Sequence, residues 1–272
     1  MNASGPASDG WAAGDAYEAF MGRWSRVLAR AFVAWLDPRP QSAWLDVGCG
    51  TGALTAAICE FAEPSSVVAC DPATALLDSA RHRLADPRVT WVSAGSGSLP
   101  AHPIGYDVVA SCLALNFFPD PRRAVEEQLS LLRPGGRVAA AVWDYGDGMQ
   151  LLRHFWDAAV RVEPRAAALH EGCRFPLCNA EGLESAFRAG GAHEVCIEAI
   201  EIPTVFEDFG DLWRPFLGGT GPAPAFVADL TRAQRDRLEC ELRNSLGGIA
   251  GGRIALTARA WAVTAGRGSL DR

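Results

Sequence analysis

The stretch Ala43-Trp44-Leu45-Asp46-Val47-Gly48-Cys49-Gly50-Thr51-Gly52 decides how this chain is read. Trp44, Leu45 and Val47 supply the apolar run of a buried strand, and Asp46 sets an acid at its carboxyl end. Gly48, Gly50 and Gly52 permit a sharp turn and a close approach of ligand to backbone. From Ala53 onward, Ala53-Leu54-Thr55-Ala56-Ala57-Ile58 has helical character. A glycine turn between a strand and a helix N-terminus is where α/β sheets hold nucleotide-like ligands. The spacing is G-x-G-x-G, whereas the dinucleotide fingerprint sets its third glycine one residue later.

Outward from this turn, strands and helices alternate. Residues 66–70 read as a second strand ending in Asp71. That acid stands about twenty residues beyond the turn, where a βαβ unit places the carboxylate for ribose hydroxyls. Its other reading is a cap for a helix over residues 74–84, and the upstream glycine turn favours the ribose role. A third strand over 89–93 enters Ala94-Gly95-Ser96-Gly97-Ser98-Leu99-Pro100, a small-residue loop with room for a flat ring. A fourth strand over 107–112 leads into Leu113-Ala114-Leu115-Asn116-Phe117-Phe118, and a helix over 121–132 stops at Arg133-Pro134-Gly135-Gly136. The fifth strand, 137–143, is apolar on both faces, as a central parallel strand should be. This order predicts an α/β, Rossmann-like doubly wound sheet, mostly parallel.

Both flanks add helices. Tyr17, Phe20, Met21, Trp24, Val27, Leu28, Ala31, Phe32 and Trp35 recur at helical spacing up to Asp37-Pro38. This amphipathic helix either packs on the sheet or closes over the glycine turn, with Tyr17 or Arg23 reaching the ligand. After residue 143 the pattern predicts a helix over 150–162, a loop over 164–180, a helix over 181–189 and a strand over 194–202. Between 203 and 252 it predicts an insertion of two helices, about 207–216 and 231–246, joined by Gly218-Gly219-Thr220-Gly221-Pro222-Ala223-Pro224. A last strand covers 254–264. The expected division is 1–40 as lid helix, 41–145 as ligand-binding core, and 146–272 as the rest of the same domain, with a cap at about 203–252.

Composition narrows the function. A chain of 272 residues, 49% hydrophobic, can build one large core or a core with a cap. A net charge of −7 and the lack of any basic tract argue against a broad nucleic-acid face. The 8 cysteines form no C-x-x-C pair, so no metal is expected. No signal-peptide pattern and no membrane-spanning apolar run is evident, which leads to an expected cytoplasmic location.

The glycine stretch, Asp71, Leu99-Pro100, Tyr106-Asp107-Val108-Val109 and Leu132-Arg133-Pro134-Gly135-Gly136 together closely resemble class I S-adenosylmethionine-dependent methyltransferases. The resemblance covers roughly residues 41–145 and fits the type 11, small-molecule branch. Met21-Gly22-Arg23-Trp24-Ser25-Arg26 also resembles the N-terminal helix that closes over the cofactor in some members. The resemblance implies S-adenosylmethionine as cofactor, an antiparallel last strand, and a binding set of Tyr17, Arg23, Asp46, Gly48, Cys49, Gly50, Gly52, Asp71, Pro72, Leu76, Ser96, Gly97, Ser98 and Leu113. In it, Asp46 would stand near the methionine ammonium and Asp71 would hold the ribose. Gly48 and Gly50 would lie along tail and ribose, Leu76 against adenine, and the backbone at Leu113 along the tail. One position departs: the family usually carries an acid after the glycine of the third-strand loop, and here Gly95 is followed by Ser96.

The acceptor is expected beyond strands four and five, near Asn116, Phe117, Phe118, Trp143, Asp144 and Tyr145, with Trp213 and Phe216 brought in by the cap. No catalytic base declares itself; Asp144, His170 and Glu171 are the candidates, while His154 reads as a solvated surface residue. Asn116-Phe117-Phe118-Pro119 lacks the paired prolines of nucleic-acid amino methylases, and the paired glutamates of protein arginine methylases are missing. A small organic acceptor is the expectation. An NAD-dependent oxidoreductase and a non-catalytic S-adenosylmethionine-binding module stay open as alternatives.

Overall fold

The computed structural model describes residues 21–218, 221–247 and 252–267. A seven-stranded sheet runs through both halves of the chain, in the order β3-β2-β1-β4-β5-β7-β6. Strand β1 (Ala43–Val47) is buried throughout and pairs in parallel with β2 (Ser66–Cys70) and β4 (Tyr106–Cys112). Strand β3 (Val89–Val92) extends the parallel array beyond β2, and β5 (Leu132–Trp143) extends it beyond β4. Strand β7 (Ile254–Arg267) is antiparallel to β5, and β6 (Ala192–Phe206) is antiparallel to β7. The sheet is therefore Rossmann-like and mostly parallel, and its last strand is antiparallel as the resemblance implied.

Helix α1 (Arg23–Leu36) buries Trp24, Leu28, Phe32 and Leu36 and ends at Asp37, in a left-handed conformation. Helices α2 (Ala53–Phe61), α3 (Thr74–Arg83) and α4 (Pro121–Ser130) follow β1, β2 and β4. Helix α4 starts as the sequence directs. Asp120 accepts from the Arg123 N–H, and Pro121 sits in the first turn, where its missing N–H has no helical partner to lose. Asp107 ties three strand starts together: its carboxylate accepts the Ala43 N–H at 2.9 Å and pairs with Arg133.

The structure departs from the sequence reading in several places. Strand β5 begins at Leu132, so the Pro134-Gly135-Gly136 run lies inside the strand, at a register irregularity opposite Tyr106 and Val108. Strand β6 runs on to Phe206 because β7 offers backbone partners along its whole length. The expected loop over 164–180 holds a 3₁₀ turn (Pro164–Leu169) and the short helix α6 (Glu171–Arg174). Among its described residues the stretch 203–252 carries three α-helices rather than two: α8 (Phe209–Trp213), α9 (Pro222–Asp229) and α10 (Arg232–Ser245). Pro222 opens α9, since its fixed φ suits a first turn, and so leaves the connector.

Helices α5 (Gln150–Val162) and α7 (Ala180–Ala189) complete the set. Trp213 and Phe216 pack among these helices rather than over the glycine turn. Phe216 stacks on Phe155 at 4.4 Å between ring centres and lies 5.9 Å from Trp213. His154 is half-buried, with Nδ1 3.2 Å from the Ser245 hydroxyl of α10, and is not a solvated surface group. Truncating a fully buried aromatic removes transfer energy and leaves a cavity, so Phe216→Ala should destabilise the fold by about 3–5 kcal/mol. Equilibrium denaturant unfolding measures this.

Candidate active site

Strands β1 and β4 are neighbours in the sheet but not in sequence, so the chain order reverses between them. Crevices at such reversals, outside the carboxyl ends of the strands, are where open α/β sheets bind ligands. A cavity of about 830 Å³ lies there. Gly48, with φ of 73°, forms its edge; a Cβ at this position would stand 2.5 Å from the Ala114 Cβ. Only glycine lets the β1 turn press so closely on the end of β4. Gly50 also has a positive φ, but no atom stands within 4 Å of where its Cβ would be. Cys49 and Thr51 line the cavity beside it. Gly52 does not; it packs under Trp91 and Ala80.

Two acids face the crevice. Asp46 is 1% exposed, and its Oδ2 accepts from the Thr55 hydroxyl at 2.6 Å. Its Oδ1 is buried without a hydrogen-bond partner. Burial, with a smaller push from the Asp71 charge, raises the Asp46 carboxyl to about 7, against the Thr55 bond. Asp71 accepts the Gly50 N–H at 2.9 Å through Oδ2 and the Ala73 N–H at 2.8 Å through Oδ1. It thus holds the glycine loop to the entry of α3, whose own cap residue is Ala73. Each oxygen keeps a lone pair for a further donor. Burial raises this carboxyl as well.

The other expected residues divide. Pro72, Leu76, Ser96, Leu113, Asn116, Phe117, Trp143 and Tyr145 line the same cavity. Leu113 does so in a left-handed conformation, φ 63°, which costs a non-glycine residue about 1–2 kcal/mol. Its N–H donates to Ala141 at 2.8 Å. Gly97 and Ser98 lie off the lining: the Gly97 N–H donates to Glu127 of α4 at 2.6 Å, and the Ser98 hydroxyl donates to the Gly95 carbonyl. Tyr17 falls outside the described residues. Arg23 points away from the cavity, paired with Asp211 of α8 at 3.0 Å and resting on the rings of Trp24 and Phe206. Met21 and Ser25, one helical turn apart, face the cavity in its place. Trp213 and Phe216 are not on the lining, because the core described above claims them.

None of the three candidate bases lines the cavity. Asp144 is held by Arg259 at 2.6 Å. His170 caps α6 by accepting the Gly172 N–H on Nδ1, and burial lowers its pKa, which keeps the ring neutral for that task. Glu171 is buried and accepts from the Trp156 indole at 2.5 Å. His170 and Glu171 thereby fix the turn that carries Arg174 and Phe175, which do line the cavity. These two escaped the sequence reading, as did Met21, Ser25 and Glu127, while Phe118 lines the cavity as its place after the fourth strand suggested. The only signal for the first pair was an Arg-Phe-Pro run in an irregular segment. Glu127 accepts the N–H groups of Gly97 and Leu99 and lies 3.5 Å from the Ser96 hydroxyl. It brings a carboxylate to the loop that Ser96 leaves without one.

Comparison with known proteins agrees with this geometry. The family model described as a methyltransferase domain matches residues 45–140. Nocamycin O-methyltransferase of Saccharothrix syringae is 35% identical over 45% of this chain and 45% of its own length. Demethylmenaquinone methyltransferase of Clavibacter sepedonicus is 38% identical over 35% of this chain and 38% of its own. The chain thus spans under half the length of either curated relative. Among solved structures, phosphoethanolamine N-methyltransferase 2 of Haemonchus contortus, in complex with S-adenosyl-L-methionine, covers 93% of this chain and 56% of its own, with a TM-score of 0.56. At 17% identity that likeness speaks for the fold alone. No described helix is long and apolar enough to cross a membrane, and no described cluster of His, Cys, Asp or Glu could hold a metal. Residues 45–140 of the chain are thus similar to the methyltransferase-domain family.

Proposed function

We propose that this chain transfers the methyl group of S-adenosylmethionine to a small-molecule acceptor and releases S-adenosylhomocysteine. The observation that carries this reading is the unpartnered Asp46 oxygen, buried in the same cavity as the glycine loop and Asp71. A buried carboxylate with a free oxygen calls for a cation, which the methionine ammonium supplies. The same carboxylate would repel a pyrophosphate, which weighs against a dinucleotide. Asp71 offers its remaining lone pairs to ribose hydroxyls, and Leu76 with Pro72 offers an apolar wall for adenine. Glu127 fixes the loop at the adenine end.

When bound, the cofactor supplies a methyl group already activated by its sulfonium. The residues have only to hold the acceptor in line and keep water out. Phe117, Trp143, Tyr145 and Phe175 do the latter at the far end of the cavity. That none of Asp144, His170 and Glu171 lines the cavity supports a reaction that relies on placement rather than on a dedicated base. Radiolabelled methyl transfer from S-adenosylmethionine to a small-molecule panel tests the reading. Tight NAD binding without S-adenosylmethionine binding would overturn it.

Three outcomes follow from the site. Asp71→Ala removes the ribose acceptor and the anchor of Gly50 together, and should weaken S-adenosylhomocysteine binding by about tenfold or more in calorimetry. Glu127→Ala should weaken it several-fold, by loosening the Ser96 loop without touching the cavity wall. The third concerns pH. In the free protein Asp46 titrates near 7, above the ordinary carboxylate range. An ammonium beside it favours the ionised form, so binding below pH 7 must expel a proton. Affinity should be flat above pH 7 and fall by up to about tenfold per unit below it. Calorimetry at pH 6 in buffers of different ionisation enthalpy should register the released proton, and Asp46→Asn should abolish that signal.

A further inference from the structure

The cavity lining holds a hydrogen-bond donor that the protein itself leaves unused. The amide Nδ2 of Asn116 is buried without a hydrogen-bond partner, and Asn116 lines the cavity. The same lining carries aromatic rings. Phe175 meets Phe117 edge-on, with 5.4 Å between ring centres, and lies 5.7 Å from Tyr145. Phe118 and Trp143 line the cavity with them.

Asn116 is held in place by its backbone. Leu113, in its left-handed conformation, turns the chain just past the end of β4. The 3₁₀ turn Leu115–Phe117 follows. Its Phe117 N–H donates to the Ala114 carbonyl at 2.9 Å, and the Phe118 N–H donates to the Leu115 carbonyl at 3.2 Å. Leu115 is fully buried, and Ala114 is pressed against Gly48. A turn anchored on both sides keeps the amide at the cavity.

A buried donor left unpaired costs free energy, and an acceptor atom recovers it. The unused group is an N–H, so its complement is a lone pair. A carbonyl oxygen supplies that lone pair and brings no donor of its own. A hydrocarbon or an ammonium at the same place would leave the N–H unpaired. Ring faces add a preference for a flat partner, through offset and edge-on contacts. A site built to hydrogen-bond one ligand group discriminates strongly against the analogue that lacks it.

Resting on the methyl-transfer reading, we infer that Asn116 sets acceptor specificity: the acceptor is a flat, mostly apolar molecule whose carbonyl oxygen takes the Asn116 N–H, seated among Phe117, Tyr145 and Phe175. Three size-matched probes test this on the intact chain. The carbonyl is carried by 2-acetylnaphthalene, its oxygen is replaced by a methylene in 2-isopropenylnaphthalene, and 2-naphthylmethylammonium can only donate. Affinity for S-adenosylhomocysteine is measured first by calorimetry. Binding of each probe to the loaded protein is then measured by equilibrium dialysis.

The ketone should bind about tenfold more tightly than the alkene or the ammonium. Asn116→Leu should erase that preference. Asn116→Asp, of the same shape but without the N–H, should reverse it toward the ammonium. Both variants should keep the S-adenosylhomocysteine affinity. Equal binding of the three probes to the wild-type protein, no binding of any, or a ketone preference that survives either substitution overturns the inference. So does loss of S-adenosylhomocysteine binding in a variant whose thermal melting is unchanged, since the amide would then serve the cofactor. Should one variant fail to fold, the other and the wild-type ranking decide. Failure of the wild-type protein to bind S-adenosylhomocysteine is a separate result that sinks the cofactor reading. The same ranking of probes on the unloaded protein then decides the role of Asn116.

Discussion

Two carboxylates share one apolar crevice at the centre of this sheet; burial makes both costly to ionise, and the Asp71 charge adds to the cost at Asp46. For Asp46 the shift to about 7 corresponds to a penalty on the order of 4 kcal/mol on its charged form. The surrounding architecture is arranged to meet that cost. Thr55, on the first helix after the loop, gives Asp46 a hydroxyl. Gly50 and Ala73 give Asp71 two backbone amides. The glycine loop is thus held in its cradle shape by the acid it helps to solvate. The close contact of Gly48 with Ala114 then fixes that cradle against the end of β4.

Around this anchor the cavity has two builders. The parallel half of the sheet supplies the glycine-loop end from the turn after β1 and the ends of β2 and β4. The far wall comes from elsewhere: Met21 before α1 and Ser25 within it, Tyr145 after β5, and Arg174 and Phe175 at the end of α6. Those distant pieces are tied back individually. Arg23 links α1 to α8 through Asp211, and Trp156 of α5 holds Glu171. The acids and imidazole that first suggested catalysis are better understood as fasteners. Asp144 binds β5 to β7 through Arg259, and His170 and Glu171 brace the turn under Arg174.

The division between what the sequence disclosed and what it hid has a physical origin. Buried parallel strands must be continuous apolar runs, and the turn after β1 must be glycine. Asp46, Gly48, Gly50, Asp71 and the strand order were therefore legible. Long-range pairing left no such trace. Nothing in the helical pattern around Arg23 announces a partner 188 residues away. Trp213 and Phe216 read alike as pocket wall or as core, because an aromatic side chain suits both. Glu127 sits on an ordinary helix face, and its role appears only once α4 is laid beside the loop at Ser96.

The strand order also governs how the chain can assemble. Strand β6 precedes β7 in the chain, yet among the described residues β7 is its only neighbour in the sheet. Emerging from synthesis, β6 has nothing to pair with until some fifty residues more have appeared, and β5 meanwhile presents an unpaired edge. Closure must wait for β7 to slide between them, bonding β5 on one side and β6 on the other. Such non-local pairing is slow, and exposed edges invite association in the interval. Strand β7 is therefore the one that seals the sheet, and refolding should be limited by its insertion rather than by the parallel half, whose strands are adjacent and early.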